Sequence, residues 1–354
     1  MKLLIITQKV HINDPILGFF HRWIEEFAKH CEQVVIVCLY KGEYNFPKNV
    51  KVLSLGKEGG VNRFKYLFRF YKYIWQERNN YDSVFVHMNP IYVVLAGILW
   101  RLMNKRIALW YTHKWVDLKL RIANILTHRI FSASSKSFRL ETNKIKIIGH
   151  GIDTDRFSCD LTNVVEKKIF KIITIGRISP IKDYETLLEG LNLIRGENIP
   201  IVLEILGVPI YRADENYLKF LKKKIKKMGM EDIVNFAGPV PNREVISYLC
   251  GADLFVNMSN TGSLDKAILE AMACGLPVLT SNASFRDVVE QTDFNECFFQ
   301  EKDFNNLADK FRFFINLDQV QRKILGTKLR EVVVKRHNIG NLIFGIINDY
   351  ETSR

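Results

Sequence analysis

The segment "GRISPIKDYETLLEGL" (Gly176–Leu191) places Arg177 and Lys182 on one loop, directly after the β-branched run "IITI". Asp183 follows with the residue type and position of an N-cap for the helical pattern behind it. Two cations in a loop leading into a helix N-terminus can converge on a diphosphate, adding their charge to the free N–H groups of the first turn. The same two residues could also be solvated loop charges; their position just after a strand favours function. A second segment, "NTGSLDKAILEAMACGLPVLTSN" (Asn260–Asn282), sets Glu270 among small and apolar residues, behind a loop of Gly262, Ser263, Asp265 and Lys266. Ser263 is the expected N-cap, Leu264–Ala273 the expected helix and Gly275 its left-handed stop. Leu264, Ala267, Ile268, Ala271 and Met272 share one face, and Glu270 lies on the other side, one turn after Lys266. An exposed Lys–Glu pair in this order is worth at most about 0.3 kcal/mol. Close-packed neighbours point instead to a carboxylate that needs a partner, and a sugar or ribose diol supplies two donors.

His113, in "WYTHK", is a third candidate. Beside Trp110, Tyr111 and Trp115 it could be a packed core residue, or a proton-handling group at a strand end. His87, in "VFVHMNP", could cap the following helix, and His150 could shape a linker; His11 and His21 carry no assignment.

The elements that must hold these residues are legible from periodicity. Short β-branched runs such as "KLLIIT", "QVVIVCLY", "DSVFVHM", "RIALWYTH", "IFKIITIG", "VLEILG", "DLFVNMS", "LPVLTS" and "ECFFQ" read as strands. Helical patterns over Phe19–His30, Arg63–Arg78, Leu118–Leu126, Tyr184–Ile194, Asn216–Met228 and Asn242–Cys250 alternate with them. This rhythm predicts an α/β chain of parallel sheets covered on both faces, with ligand sites at the carboxyl ends of the strands. The polar stretch Asp153–Lys168 breaks the rhythm once. It divides the chain into a first domain of residues 1–152, a linker of 153–168 and a second domain of 169–337, with a final helix near 338–354 expected to pack back on the first domain. If the strand ends of the two domains face each other, the site lies between them.

With 354 residues, 47% hydrophobic and 25% charged, the chain suits two folded domains and not a disordered polymer. "IYVVLAGILW" (Ile91–Trp100) is about half the length of a bilayer crossing and, behind Asn89 and Pro90 as N-cap and N1, reads as a buried helix. No spanning segment and no signal peptide are expected. The six cysteines show no C-x-x-C pair, so reduced cytoplasmic thiols are expected, without a disulfide frame or a zinc site. The formal charge of +13 suits nucleic acid, anionic lipid or a phosphorylated substrate.

Taken together, "GRISPIKDYETLLEGL" and "LEAMACGLPVLTS" resemble the retaining glycosyltransferases of family 4 (glycosyl transferases group 1), which have the GT-B fold of two Rossmann-like doubly wound domains facing across a cleft. Further likenesses, "LGFFHRWIEEFAKH", "GHGIDTDRF" and "NFAGPVPNREVISYLCGADLFVNMS" among them, extend over almost the whole chain in order. The resemblance implies a hexosyl- or other glycosyltransferase that moves a sugar from a UDP-, GDP- or ADP-sugar to a polysaccharide, oligosaccharide or lipid-linked acceptor of the cell surface. A non-catalytic relative that binds a nucleotide-sugar or glycan is the alternative. It implies that Arg177 and Lys182 hold the donor diphosphate, that Glu270 binds the nucleotide ribose, and that His113 stands near the donor sugar and acceptor. Gly18 and Gly176 match glycines beside the donor. Where the family commonly carries a sugar-binding glutamate this chain has Gly262, so Ser263, Leu264, Asp265 and Lys266 would line the sugar end of the site.

No aspartate cluster of the D-x-D kind stands at a strand end, and "DTD" (Asp153–Asp155) falls in the linker, so metal-independent chemistry without a cofactor is expected, and the resemblance implies a same-face mechanism. The excess of positive charge has two concentrations. In residues 63–78, Phe64, Leu67, Phe68, Tyr71, Ile74 and Trp75 form the expected core stripe, and Tyr66, Phe70 and Tyr73 a second, outer one. Lys65, Arg69 and Lys72 lie in the seam between them. Such a helix suits an anionic membrane surface, although both stripes could pack inside the domain. Lys219, Lys222, Lys223, Lys226 and Lys227 read as a solvated face anchored by Leu221 and Ile225. No nucleic-acid module is present, so no nucleic acid is expected; the cysteine pattern suits the cytoplasm, and the charge a peripheral contact with the inner membrane face.

Overall fold

The computed structural model describes residues 1–14, 16–160, 169–197, 200–259, 264–289 and 294–352. The Cα framework divides into two compact units, one of Met1–Gly151 with His337–Arg354, the other of Ile152–Arg336. Residues 161–168 of the expected linker lie outside the described residues.

In the first unit, β1 (Lys2–Val10), α1 (Phe19–His30), β2 (Gln33–Lys41), β3 (Val50–Ser54), α2 (Arg63–Gln76), β4 (Ser83–His87) and α3 (Pro90–Leu102) alternate as the periodicity predicts. They are followed by β5 (Arg106–Trp110), α4 (Leu118–Leu126), β6 (Arg129–Ser132) and β7 (Ile145–Ile147). All seven strands pair in parallel in the order β3-β2-β1-β4-β5-β6-β7. Parallel pairing buries both faces, and the central strands are accordingly apolar runs: Leu3–Ile6 and Val34–Cys38 have no exposed surface. Val35, Val84 and Leu109 meet α2, α3 and α4 on one face, while Ile5, Ile36 and Phe85 meet α1 on the other.

The second unit runs β8 (Phe170–Ile175), α5 (Tyr184–Ile194), β9 (Ile201–Leu206), α6 (Arg212–Met228), β10 (Val234–Gly238), α7 (Val245–Gly251), β11 (Leu254–Asn257), α8 (Lys266–Ala273) and β12 (Val278–Thr280). The short α9 (Arg286–Val289), then α10 (Phe304–Asn316) and α11 (Gln319–His337), complete it. Its five strands are parallel, in the order β10-β9-β8-β11-β12. The last helix, α12 (Ile339–Thr352), belongs to the first unit, where Ile339, Leu342, Ile343 and Ile346 pack against the face that α1 covers.

Several expectations are corrected. "ECFFQ" forms a 3-10 turn over Asn295–Cys297 and one isolated bridge, Thr280 to Phe298, in place of a strand. Cys159 and Cys250 form a disulfide with Cα atoms 5.5 Å apart, against the expectation of reduced thiols only. The fold brings residues 91 apart in sequence to bonding distance, which spacing alone does not reveal. The sulfur of Cys274 lies within 4.8 Å of both, so three cysteines meet at one point. Helix α3 is buried only along Val93, Ala96, Gly97 and Trp100; Ile98 and Leu102 are exposed.

The largest correction concerns α2. Of the expected core stripe only Ile74 is buried, whereas Phe64 is 85%, Phe68 71% and Trp75 53% exposed. The helix turns its other side to the sheet: Phe70 is buried, and Tyr66 and Tyr73 pack beside it on the core that holds Leu4 and Val35. Leu221 and Ile225 anchor α6 as expected, and Lys219, Lys222, Lys223, Lys226 and Lys227 are solvated. No described helix is long and apolar enough to cross a membrane.

Candidate functional site

Both sheets reverse their strand order beside their first strand, between β1 and β4 and between β8 and β11. The crevice at such a reversal, outside the carboxyl ends, is where open α/β sheets bind ligands. In the second unit it is bounded by the segments that follow β8 and β11, which carry the two groups of residues singled out above.

After β8 the chain passes Gly176, where a Cβ would lie 3.1 Å from Cε of Lys182, so the lysine stem runs directly over this bare backbone. Asp183 caps α5 as expected, accepting the Thr186 N–H and, at 2.7 Å, the Thr186 hydroxyl. Its backbone is left-handed, with φ of 44°, an unusual conformation that asparagine and aspartate tolerate better than most residues. Tyr184, the first residue of the helix, is buried and donates its hydroxyl to the Gly176 carbonyl at 3.3 Å. These contacts fix the loop on which Lys182 stands.

The Lys182 ammonium reaches Asp265 Oδ2 at 2.5 Å, with both side chains largely buried. Asp265, not the expected Ser263, is the N-cap of α8: its Oδ1 accepts the Ala267 N–H at 3.2 Å, and the helix runs Lys266–Ala273. The same carboxylate takes a third donor, Asn257 Nδ2, at 3.1 Å. Asn257 ends β11 and accepts the Ser259 N–H through its own Oδ1, so the strand end, the helix start and the lysine are tied at one point. Burial would raise the Asp265 pKa, but the Lys182 charge and the donors of Lys182, Asn257 and Ala267 together lower it. The result is a fixed carboxylate–ammonium pair whose ammonium keeps further donor capacity. Gly262 and Ser263 lie outside the described residues.

Glu270 is buried, 6% exposed, and pairs with Lys266 at 3.0 Å one turn earlier. The expected Lys–Glu contact therefore exists, but inside the protein. Burial lowers the Lys266 pKa, and Glu270 opposes that shift without cancelling it. Oε1 of Glu270 meets Lys266 as a charge contact without a well-directed hydrogen bond. Leu264 is buried in the core below, and Gly275, with φ of 72°, ends the helix as expected.

Arg177 has different partners from Lys182. Its Nε lies 3.2 Å from Ser179 Oγ and 3.8 Å from Asp214 Oδ2, and its guanidinium sits 5.4 Å from the Tyr211 ring centroid. Asp214 is in the first turn of α6, so Arg177 leans toward the segment after β9 and Lys182 toward the segment after β11. Asn257, Asp214, Tyr211 and Tyr184 are the site residues that sequence reasoning missed. Asn257 alone left a signal, as the polar end of the run "LFVN".

In the first unit the strand ends carry different chemistry. Gly18 sits at the start of α1 with ordinary helical φ, and a Cβ there would fall 2.4 Å from the Asp14 carbonyl oxygen. The loop's own backbone therefore requires this glycine. His87 is buried, stacked on Phe20 at 4.0 Å and 3.4 Å from the Thr7 hydroxyl, and desolvation pushes its pKa down to about 3. His113 is exposed at the tip of a turn closed by the Tyr111 hydroxyl donating to the Trp115 carbonyl at 2.9 Å, and the surrounding protein mass lowers its pKa. His150 donates its backbone N–H to His337 Nδ1 at 3.0 Å.

Residues 162–331 match the family profile "Glycosyl transferases group 1". WcaL of Salmonella typhimurium, described as a colanic acid biosynthesis glycosyltransferase, is 24% identical over 63% of this chain and 53% of its own length. AmsK of Erwinia amylovora, described as an amylovoran biosynthesis glycosyltransferase, is 25% identical over 48% of this chain and 40% of its own length. The chain thus spans about half the length, or less, of these relatives. Among solved structures, HepE of Anabaena, crystallised with UDP and glucose, superposes with a TM-score of 0.76 at 16% identity over 99% of both chains, a likeness that shows the fold alone. The chain has the GT-B fold, and its second unit matches the group 1 glycosyl transferases.

Proposed function

We propose that this protein transfers a sugar from a nucleotide-sugar to a glycan or lipid-linked acceptor in the synthesis of a surface polysaccharide. The observation that carries this reading is Lys182, held by Asp265 at the strand-order reversal of the group 1 domain. In this reading Lys182 and Arg177 bind the diphosphate and stabilise its negative charge as the sugar leaves, each worth about 2–4 kcal/mol of barrier. Asp265 is a positioning residue, aiming the ammonium from the β11 side as Asp214 steadies the guanidinium from the β9 side. Glu270 exchanges its contact with Lys266 for the two hydroxyls of the ribose. His113, neutral near pH 7, stands where the acceptor approaches. The departing phosphate oxygen takes the acceptor proton on the same face, so configuration is retained and no metal is needed. The structures of HepE with UDP and glucose and with UDP-glucose make uridine nucleotides the first donors to try.

The acceptor side faces an anionic membrane surface. The exposed apolar residues Phe64, Phe68 and Trp75 on α2 lie beside the exposed Lys65 and Lys72, an arrangement that suits partial insertion beside acidic headgroups.

The test is a thermal-shift screen over UDP-, GDP- and ADP-sugars, followed by donor hydrolysis with the best binder and its Lys182→Ala counterpart. Stabilisation by one nucleotide and hydrolysis lost in the variant are expected. Binding without turnover in the unaltered protein would make it a nucleotide-sugar-binding protein, and no stabilisation by any nucleotide would refute both readings.

A further inference from the structure

The turn of α2 toward the sheet leaves a groove of about 740 Å³ between this helix, the start of α3 and the ends of β2 and β3. Its size falls in the range of roughly 300–1,000 Å³ typical of small-molecule sites. Leu39, Leu55, Phe70 and Leu95 supply apolar walls, and Leu67 and Ile91, both partly exposed, form its rim. Lys57 and Arg63 also line it and are exposed. The nearby Arg69 is already used, donating to the Leu55 carbonyl at 3.0 Å and holding the turn at Gly56. Lys57 and Arg63 are thus the cations left to meet a ligand at this groove.

We infer that the groove binds the hydrocarbon chain of a single-chain lipid phosphate, with Lys57 and Arg63 on the phosphate. This rests on the transferase reading above and names the acceptor class: a sugar-accepting lipid whose tail enters the first unit. Three features choose this occupant. The walls are apolar and continuous with the exposed Phe64 and Phe68 on the same helix, a path by which a chain can leave a bilayer without crossing water. The cations suit a phosphate, whose oxygens can accept charge-assisted hydrogen bonds from both. The groove also opens beside residues that follow β3 and β4, all strands here being parallel, so it lies at the carboxyl-end rim that also carries His113 after β5. A headgroup held at that rim stands on the side of the sheet where transfer is proposed.

The test measures binding of farnesyl phosphate to the full chain by calorimetry below its critical micelle concentration, with farnesol and inorganic phosphate as controls. Leu67→Trp, at the half-exposed rim, fills the groove, and Leu95→Trp repeats the test from α3. Arg63→Glu reverses one charge. The unaltered protein is expected to bind farnesyl phosphate at least tenfold more tightly than farnesol, and inorganic phosphate alone not measurably. Either tryptophan is expected to weaken binding at least tenfold, and Arg63→Glu about tenfold, while stabilisation by the nucleotide persists. A protein that binds nucleotide but not farnesyl phosphate overturns the groove and leaves the transferase reading standing. One that binds farnesyl phosphate but no nucleotide does the reverse. Equal affinity for farnesol, or a dimer that Leu67→Trp dissociates, would assign the groove to a neutral chain or to a second copy of the protein and overturn the proposal.

Discussion

The two units share one topology and differ in what stands at the ends of their strands. In the second, the order reversal is flanked by ion pairs: Lys182 with Asp265, Arg177 with Asp214, Lys266 with Glu270. In the first, it is flanked among the described residues by a single such pair, Lys9 with Asp14 in the glycine-tight loop, and by His87 stacked on Phe20, with His113 exposed beyond. The same backbone plan thus offers one crevice lined by three ion pairs and one with a single ion pair and two imidazoles whose pKa burial lowers. The side chains just beyond the strands set this contrast; the sheets do not differ in kind.

Four changes sharpen or break the contrast. Lys182→Ala should reduce donor hydrolysis about 10²–10³-fold, equivalent to about 2.7–4 kcal/mol of barrier. It also strands Asp265, so Lys182→Ala/Asp265→Ala should recover much of the lost thermal stability without recovering activity. Recovery of both would show that the pair serves only the fold. Next, Glu270→Ala removes the Glu270 carboxylate from the partly buried Lys266 and should cost about 1–3 kcal/mol, read by urea unfolding, beside weaker nucleotide binding. If stability falls and nucleotide affinity does not, the carboxylate is structural.

The third prediction concerns the crevice of the first unit. His87 has a folded pKa of about 3, below the unfolded value of about 6.5, so the unfolded chain binds more protons between these limits. Stability is therefore full above pH ~6.5 and lost as pH falls through this window, by about 2 kcal/mol at pH 5. His87→Phe should flatten that slope in unfolding curves taken from about pH 7 to pH 5; an unchanged slope would mean that His87 is not the group responsible. The smallest effect on the fold is expected from Phe68→Glu, within about 0.5 kcal/mol on an exposed face. Flotation with anionic vesicles at low salt should nonetheless drop sharply, and undiminished flotation would remove α2 from the membrane contact.

Much of this was legible in advance, because periodicity reports burial directly. α1, α4 and α5 begin and end where the apolar spacing placed them, and Asp183 caps α5. The failures have common physical roots. Helix α2 is aromatic on both sides, so its own pattern could not say which side the sheet would cover; the larger stripe, Phe64, Phe68 and Trp75, stayed outside. Ser263 and Asp265 are both good capping residues, and the choice fell to the one whose second oxygen also meets Lys182 and Asn257. The partners Asp214 and Tyr211 come from the start of α6, and only the folded sheet places them beside Arg177. The Cys159–Cys250 bond belongs to the same class of long-range fact.

The return of α12 to the first unit makes the second unit an insertion within it. A ribosome therefore releases all of Ile152–Arg336 before the residues that finish the first core, Ile339, Leu342 and Ile343 among them, have been made. The usual order of synthesis, first domain folded first, is inverted here. A gene cut after residue 151 would yield a sheet with part of one face uncovered. Because His150 and His337 are bonded at the two crossings, excising the insertion and joining its flanks with a few residues should give the smaller product that stays soluble.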